Sequence, residues 1–445
     1  MRIGLSHARA RTIFARLFKA ALEAVDPYRA VLRDTRMRRG ALLVGPHRYR
    51  LSKYRRIVVI GAGKASARMA QGLEHVLGPK IDGGLVVVKY GHRLPTRTVR
   101  VVEAAHPVPD RAGLEAGRQL LDLAGTLTGG DLLIVLLSGG ASSLLPVPAP
   151  GLSLEDKQAT TQLLLRSGAT IQEVNTVRKH VSSFKGGRLA AATKASVVTL
   201  VLSDVIGDDL GSIGSGPTAP DDTTFGEAWA IVRRYRLDAA IPRAVRRHLL
   251  QGMHGRREET PTSGSTVFAR VRHHVIGSNR VALEAASKAA VRSGLCTMVA
   301  SSTLTGEARE VAKVFGAVSR EIAHYGRPMR RPCCFLAGGE LTVTVSGHGR
   351  GGRAQEFSLA AVPEIAGLKR VWIAGFATDG SDGPTDVAGA VVGGDTAARS
   401  MRHKVDPARA LLGNDAYTFF DRAGGHIKTG PTGTNVNDLY FLLAL

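Results

Sequence analysis

The chain has 445 residues and a formal net charge of +23, with 44% hydrophobic and 5% aromatic residues. The length is too great for one ordinary core and favours two or three domains, and the absence of any uncharged apolar run of about eighteen residues excludes a transmembrane helix. Three cysteines, Cys296, Cys333 and Cys334, form neither a disulfide framework nor a zinc pattern, which points to a reducing cytoplasm.

Residues 1–56 hold fifteen Lys or Arg against three Asp or Glu. A nucleic-acid surface is one reading of this charge. The arginines are interleaved with Ile13, Phe14, Leu17, Phe18 and Leu22, however, and aromatics are too few to form stacking platforms. A solvated face on an amphipathic first helix is the better account, and the expected partners include neither nucleic acid nor membrane. Arginines interrupt every apolar run at the start, so no signal-peptide core is present and the first helix is expected to belong to the fold.

IVVI at 57–60 reads as a buried strand. It ends at Gly61-Ala62-Gly63, and Lys64 and a helix to about Leu77 follow. This loose glycine pattern is weak as a dinucleotide fingerprint. The next strand, LVVV at 85–88, ends in Lys89-Tyr90-Gly91-His92 without the acid that would bind a ribose, and Asp82 precedes that strand. The glycine spacing is also wrong for a P-loop. What remains is a lysine at the positive end of a helix, a place that favours an anion.

LLIVLL at 132–137 leads into Ser138-Gly139-Gly140-Ala141-Ser142. Backbone amides there could form a nest for a carboxylate or a phosphate. Arg178, Lys179, His180, Lys185 and Arg188 crowd the segment 173–192, either as a solvated basic helix or as contacts to an anionic substrate. VVTLVL at 197–202 ends at Ser203-Asp204, where layered α/β proteins place ligand contacts. The continuous runs predict strands covered on both faces within alternating strand and helix layers.

The polar stretch at 251–265 reads as a linker, dividing a domain at 1–250 from one at 266–445. Strands are then expected at 297–301, 334–337, 341–345, 371–376 and at the end of the chain, with LTVTV at 341–345 half exposed by its alternation. Gly347, Gly349, Gly351 and Gly352 form a close-approach loop that ends at Arg353, an arginine placed to spread charge on a transferred phosphoryl group. Asp379, Asp382 and Asp386 follow a strand. Their spacing is not that of a calcium loop, and a magnesium site shared with a nucleotide is the functional reading; turn and helix capping is the plain one.

Taken in order, GAGKAS, AHPVPD, SGGASSLL, NTVRKHVSSFKGGRLA, SDVIGDDLGSIGSGPT, GGELTV, GRGGRAQE, ATDGSDGPTDVAGA and GPTGTNVNDL resemble the glycerate 2-kinases that carry a C-terminal MOFRL domain. The resemblance runs from about residue 9 to the end. It implies two α/β domains with a cleft between them, the first Rossmann-like. It also implies ATP- and Mg2+-dependent phosphorylation of D-glycerate at its 2-hydroxyl, giving 2-phosphoglycerate. Lys64 and Arg353 match the residues implicated in catalysis in that family. Ser138, Gly139, Gly140, Ser142, Arg178 and Lys185 are the expected substrate contacts. Gly61, Gly63, Gly351, Gly352 and Asp379 are expected at the nucleotide, and Asp204, Asp379 and Asp386 at the metal. Two departures stand out: Ala354 replaces a usual asparagine, and Ala105 replaces a usual glycine before His106. The alternatives are an NAD(P)H-dependent hydroxypyruvate reductase, a name some members of this family have carried, and a basic nucleic-acid-binding protein. D-Glycerate and ATP are the expected partners, and self-association into a homo-oligomer is left open.

Overall fold

The computed structural model describes residues 1–445. The chain forms two compact units, one of residues 27–276 and one of residues 1–26 together with 277–445. No helix is long and apolar enough to cross a membrane.

In the 27–276 unit the leucine- and valine-rich runs form a six-stranded sheet. Its order is Val271–Gly277, Ser196–Leu202, Asp131–Leu137, Arg56–Ala62, Gly83–Lys89, Arg100–Ala104. The last five strands are parallel. Every residue of Asp131–Leu137 is buried, as continuous apolar patterning requires of a strand covered on both faces. Growth of the sheet starts at Arg56–Ala62, proceeds outward through the strands at 83–89 and 100–104, and then returns to the other side at Asp131–Leu137. The strand order therefore reverses between Arg56–Ala62 and Asp131–Leu137. Crevices beyond the carboxyl ends of strands at such a reversal are where open α/β sheets bind ligands. A cluster of helices, Leu154–Arg166, Ile171–His180, Phe225–Arg234 and Arg243–Met253, has its own apolar core around Val177, Phe225 and Trp229.

The other unit holds a seven-stranded sheet in the order Arg2–Ile3, His426–Lys428, Gly389–Gly393, Val371–Ala377, Asp438–Ala444, Cys333–Gly339, Cys296–Leu304. Only the pair Cys296–Leu304 and Cys333–Gly339 is parallel. Helix Ala8–Ala24 lies on helix Asn279–Arg292 in this unit. Its Phe18 ring stacks on Phe376 at 4.4 Å and meets Phe441 edge-on at 5.1 Å.

Two expectations change. The division of the chain falls at 26/27 and 276/277, and 251–265 is not the boundary. Strand Val271–Gly277 completes the first sheet, so the polar stretch before it is a surface loop of that unit. The first helix leaves that unit because its apolar face, Ile13, Phe14, Leu17 and Phe18, is buried against the other sheet and helix. LTVTV is not a ladder strand either. Only Thr342 forms a bridge, to Glu307. The Glu307 carboxylate accepts hydrogen bonds from the Thr344 amide and the hydroxyls of Thr342 and Thr344, so a side chain takes the place of a neighbouring strand.

One buried carboxylate shapes the approach to the edge strand at 100–104. Glu74, on helix Ser66–Leu77, accepts hydrogen bonds from the amides of Arg97, Thr98 and Val99 at 2.8–3.1 Å. Glu74→Ala leaves three amides without their acceptor and is expected to destabilise this unit by about 2–4 kcal/mol. The two tryptophans, Trp229 and Trp372, lie one in each unit. In a Trp372→Phe background, urea unfolding followed by Trp229 fluorescence should show the lower midpoint; an unchanged midpoint would mean that the loop holds without Glu74.

Candidate active site

The turns after Arg56–Ala62 and Asp131–Leu137 are bonded to each other at the strand-order reversal. The Ser138 amide donates to the Ala62 carbonyl (3.1 Å), the Lys64 amide to the Gly139 carbonyl (2.9 Å), and the Ala65 amide to Ser138 Oγ (3.0 Å). Gly63 has φ +133, and a Cβ at Gly63 would overlap the Ser138 hydroxyl, while one at Gly61 would overlap the Leu136 carbonyl. These glycines are therefore required by close packing of two strand ends. The Gly63 amide donates to Val87 and the Ser66 amide to Gly63. The amides of this turn are thus already bonded within the protein, and the expected nucleotide contacts of Gly61 and Gly63 do not fit. The same commitment leaves no pyrophosphate cradle for a dinucleotide here. Asp82 is also spent elsewhere, accepting from the Ile57 amide at 2.7 Å.

Lys64 projects where the zipped turns meet the short helix Ala141–Leu144. Gly140, at φ +87, would carry a Cβ against the His106 ring and within 3.7 Å of Lys64 Cε. Gly139 lies against the Asp204 carboxylate in the same way. Asp204 follows strand Ser196–Leu202, so three strand ends deliver Lys64, the Ser138–Ser142 turn and Asp204 to one edge of the sheet.

Beside this edge lies a cavity of about 190 Å³ lined by His106, Gly140, Ser142, Lys157, Arg178 and Lys185 among others. The expected contacts Gly140, Ser142, Arg178 and Lys185 are brought together there. Ser138 is instead buried as the link between the turns, and Gly139 serves packing. Lys185 is 2% exposed and donates to the Ser142 carbonyl (2.6 Å) and Ser142 Oγ (3.1 Å). Ser142 Oγ meets Ser215 Oγ at 2.8 Å, and Ser215 donates to Asn175 Oδ1. Lys157 is 5% exposed and donates to the Val147 carbonyl (3.1 Å).

Burial dominates the electrostatics of this cavity. It pulls the Lys157 ammonium down to about 7, with Arg178 adding to the effect. Burial, then Lys157 and Arg178, lower Lys185 well below the usual lysine range, and burial lowers Arg178 as well. His106 is pulled down to about 4 by burial, then by Lys64 and Lys89, and is neutral at neutral pH. No carboxylate lines the cavity. Lys179, one residue beyond Arg178, forms instead a buried ion pair with Asp221 at 3.1 Å.

His106 and Lys157 were not among the expected contacts. Lys157 had a signal in the sequence: it shares a helical stripe with Leu154, Thr160 and Leu164, all buried, and a lysine on an apolar stripe has to be accounted for.

In the other unit Arg353 opens helix Arg353–Glu364, with Gly352 at the cap position. Its guanidinium pairs with Glu340 and, through Nε, with Asp438 at 3.1 Å. Burial opposes the charge on Arg353, but Asp438 and Glu340 outweigh it and raise it above the ordinary arginine value. Buried Asp438 is pushed up to about 7 by burial, with Arg353 offsetting part of the effect. The helix start is capped by Asp382, which accepts from the Ala354 amide (3.0 Å), the Gln355 amide (2.8 Å) and Gln355 Nε2 (2.9 Å). A Cβ at Gly352 would overlap Asp382, and the Gly351 carbonyl sits against Gly383. The glycines let the loop close over the cap.

Of the expected metal residues, Asp386 is already engaged within the protein. No three His, Cys, Asp or Glu side chains gather as a metal site. Asp386 accepts from Tyr417 at 2.7 Å and pairs with Lys428 at 3.1 Å, and both partners hold it below the usual carboxylate range. With both oxygens engaged, it does not fit as a metal ligand. Asp379, half-buried after strand Val371–Ala377, accepts from the Ser381 amide.

Residues 13–250 match a family model described as a domain of unknown function, DUF4147, and residues 333–438 match the MOFRL family. The chain is 39% identical to the glycerate 2-kinase of Pyrococcus horikoshii over 96% of both proteins. It is 42% identical to an Agrobacterium vitis protein provisionally named a hydroxypyruvate reductase, over 98% of this chain and 94% of that one. The crystal structure of glycerate kinase from Thermotoga maritima superposes with a TM-score of 0.87 and 39% identity, covering 98% of this chain and 99% of that one.

Asp382 is the cap on which the position of Arg353 rests. Asp382→Ala should lower stability by about 1–2 kcal/mol, as lost caps do, and Asp382→Asn, which keeps one acceptor oxygen, should cost less. In a Trp229→Phe background, denaturant unfolding followed by Trp372 fluorescence would check the order; equal stability of all three proteins would show that the cap is dispensable.

Proposed function

This chain belongs to the glycerate 2-kinase family, and we infer that it transfers the γ-phosphoryl group of ATP to the 2-hydroxyl of D-glycerate. The products are 2-phosphoglycerate, ADP and a proton. The observation that carries the reading at the level of the site is the cavity beside Lys64. It collects Lys157, Arg178 and Lys185 with no acid among its lining, which suits the carboxylate of a small hydroxy acid. Arg178, Lys185 and Ser142 are proposed to hold that carboxylate.

Phosphoryl transfer leaves the protein little covalent work, so charge placement dominates. Lys64, a compact ammonium at a strand end, and Arg353, a planar fork at a helix start, are proposed to stabilise charge on the transferring group. The Arg353 ion pairs with Glu340 and Asp438 would hold that fork in one orientation. Gly351 and Gly352 are proposed to let the nucleotide approach the backbone closely. Magnesium would neutralise phosphate charge; it seldom has an all-protein cage. Asp204 and Asp379 are the proposed single ligands, with nucleotide phosphates and water supplying the rest. The free cysteines accord with the proposed cytoplasmic setting.

A reductase reading draws on the name of the Agrobacterium vitis relative. The bonded turn at Gly61–Ser66 and the missing ribose-binding acid weigh against it. The deciding experiment incubates the protein with D-glycerate, ATP and magnesium and identifies the product. 2-Phosphoglycerate with stoichiometric ADP is expected; 3-phosphoglycerate alone, or oxidation of a nicotinamide cofactor by hydroxypyruvate, would overturn the reading.

Lys64→Ala and Arg353→Ala should each lower kcat on the order of 10²-fold or more, as other lost electrostatic stabilisers do. Arg353→Lys should remain impaired, because an ammonium cannot reproduce the fork. The double variant should lose less than the product of the single losses. Near wild-type kcat in Lys64→Ala would reduce GAGKAS to a turn.

A further inference from the structure

We propose that Lys157 is a binding residue for the acceptor's carboxylate, and that the cavity takes up a proton at Lys157 when the acid enters. The proposal rests on the reading that this cavity receives the acceptor acid, and it adds a residue and a proton to that reading.

The argument starts from charge. Buried cations are normally paired with acids. The neighbouring Lys179 obeys this rule through Asp221. Lys157 and Lys185 are 5% and 2% exposed, and each donates only to carbonyl or hydroxyl oxygens. The titratable groups lining the cavity are His106 from the loop after strand Arg100–Ala104, Arg178 from helix Ile171–His180, and Lys185 from the segment after it. On Lys157's own helix, the adjacent Asp156 is spent on the capping box with Ser153. The cavity thus concentrates basic groups with no internal counter-ion. At about 190 Å³ it falls below the range of nucleotide- or drug-sized pockets, and suits a small acid.

The sign of the proton linkage follows. In the empty cavity the Lys157 ammonium is held near 7 by burial and Arg178. A carboxylate brought alongside favours the charged form and raises that value. Below pH 7 Lys157 is already charged and adds no pH dependence of its own. Above pH 7 binding has to bring a proton with it, so KM for the acid rises by up to about tenfold per pH unit until the bound-state value is reached. The acid itself is ionised throughout this window. Lys185, also lowered by burial, can add a second proton of its own.

Lys157→Met is a clean removal. The Val147 carbonyl keeps hydrogen bonds from Ser182 Oγ (3.0 Å) and the Ser183 amide (3.2 Å). Lys157→Arg keeps a charge that does not titrate. KM and kcat for D-glycerate are measured from pH 6 to 9 at saturating ATP for wild type and both variants. Wild type should show KM rising above pH 7. Lys157→Met should raise KM at pH 6 on the order of tenfold, with kcat changed less than about threefold. In both variants the pH slope of KM should fall by one proton relative to wild type. An unchanged slope, an unchanged KM, or a loss confined to kcat would overturn the proposal. The same proteins are titrated with D-glycerate, and with sulfate as a generic anion, and read as thermal shifts. A wild type without kinase activity, but stabilised by these anions in a Lys157- and pH-dependent way, would sink the kinase reading and leave the cavity proposal standing. No Lys157-dependent shift in such an inactive protein would sink both.

Discussion

The bond between the Lys64 amide and the Gly139 carbonyl, 2.9 Å long, fixes the geometry on which the candidate site depends. It joins two strand ends at the point where the strand order reverses. With the Ala65 amide on Ser138 Oγ, it makes the two turns one rigid body. A lysine carried by such a turn is placed by the sheet and not by a mobile loop, which is how a charged group can be held to the tolerance that catalysis needs. The constraint reaches outward. Gly140, forced to positive φ, admits His106 and the Lys64 side chain, and Gly139 leaves room for Asp204. A side chain at any of these glycines would push apart groups delivered by three separate strands.

The two units handle charge in opposite ways. The cavity beside Lys64 keeps cations with no acid lining it, and burial lowers their charge affinity. Arg353 is already paired with Glu340 and Asp438, and its charge is strengthened. The first arrangement makes an anion's arrival favourable, because the ligand supplies a missing counter-charge. The second keeps an orientation ready in advance. The usual asparagine beside Arg353 is Ala354 here. Its side chain is fully buried, and its amide is held by Asp382, so the cap does not depend on what that side chain carries.

The sheet of the 27–276 unit was legible because strands covered on both faces leave continuous apolar runs, as in IVVI and LLIVLL. LTVTV had the right alternation, but pairing is a tertiary event, and Glu307 occupies the place of a partner strand. The boundary was misplaced because a polar loop and a polar linker have the same composition. Only strand Val271–Gly277, whose Arg272, His273 and His274 break its apolar run, reveals the difference. Gly61 and Gly63 resembled a phosphate turn, yet the structure uses the same small residues to seat one strand end on another. Asp386 looked like a ligand in a row of acids until Tyr417 and Lys428, distant in sequence, took both its oxygens. Arg178 and Lys185 were visible as an unusual crowding of charge. Lys157 was less visible because its neighbours in the cavity come from separate segments.

The helix Ala8–Ala24 precedes the 27–276 unit in the chain but packs against segments that follow that unit. Its apolar face meets Phe376 and Phe441, residues that follow the whole of that unit in the chain. At about 5–20 residues per second the nascent chain carries this face without its final partners for tens of seconds. The 27–276 unit has its whole sheet before that, apart from the terminal Gly277 of one edge strand. Arg9, Arg11 and Arg16 lie on the same helix, and charge of one sign on an amphipathic helix favours its solubility while that face waits for its core.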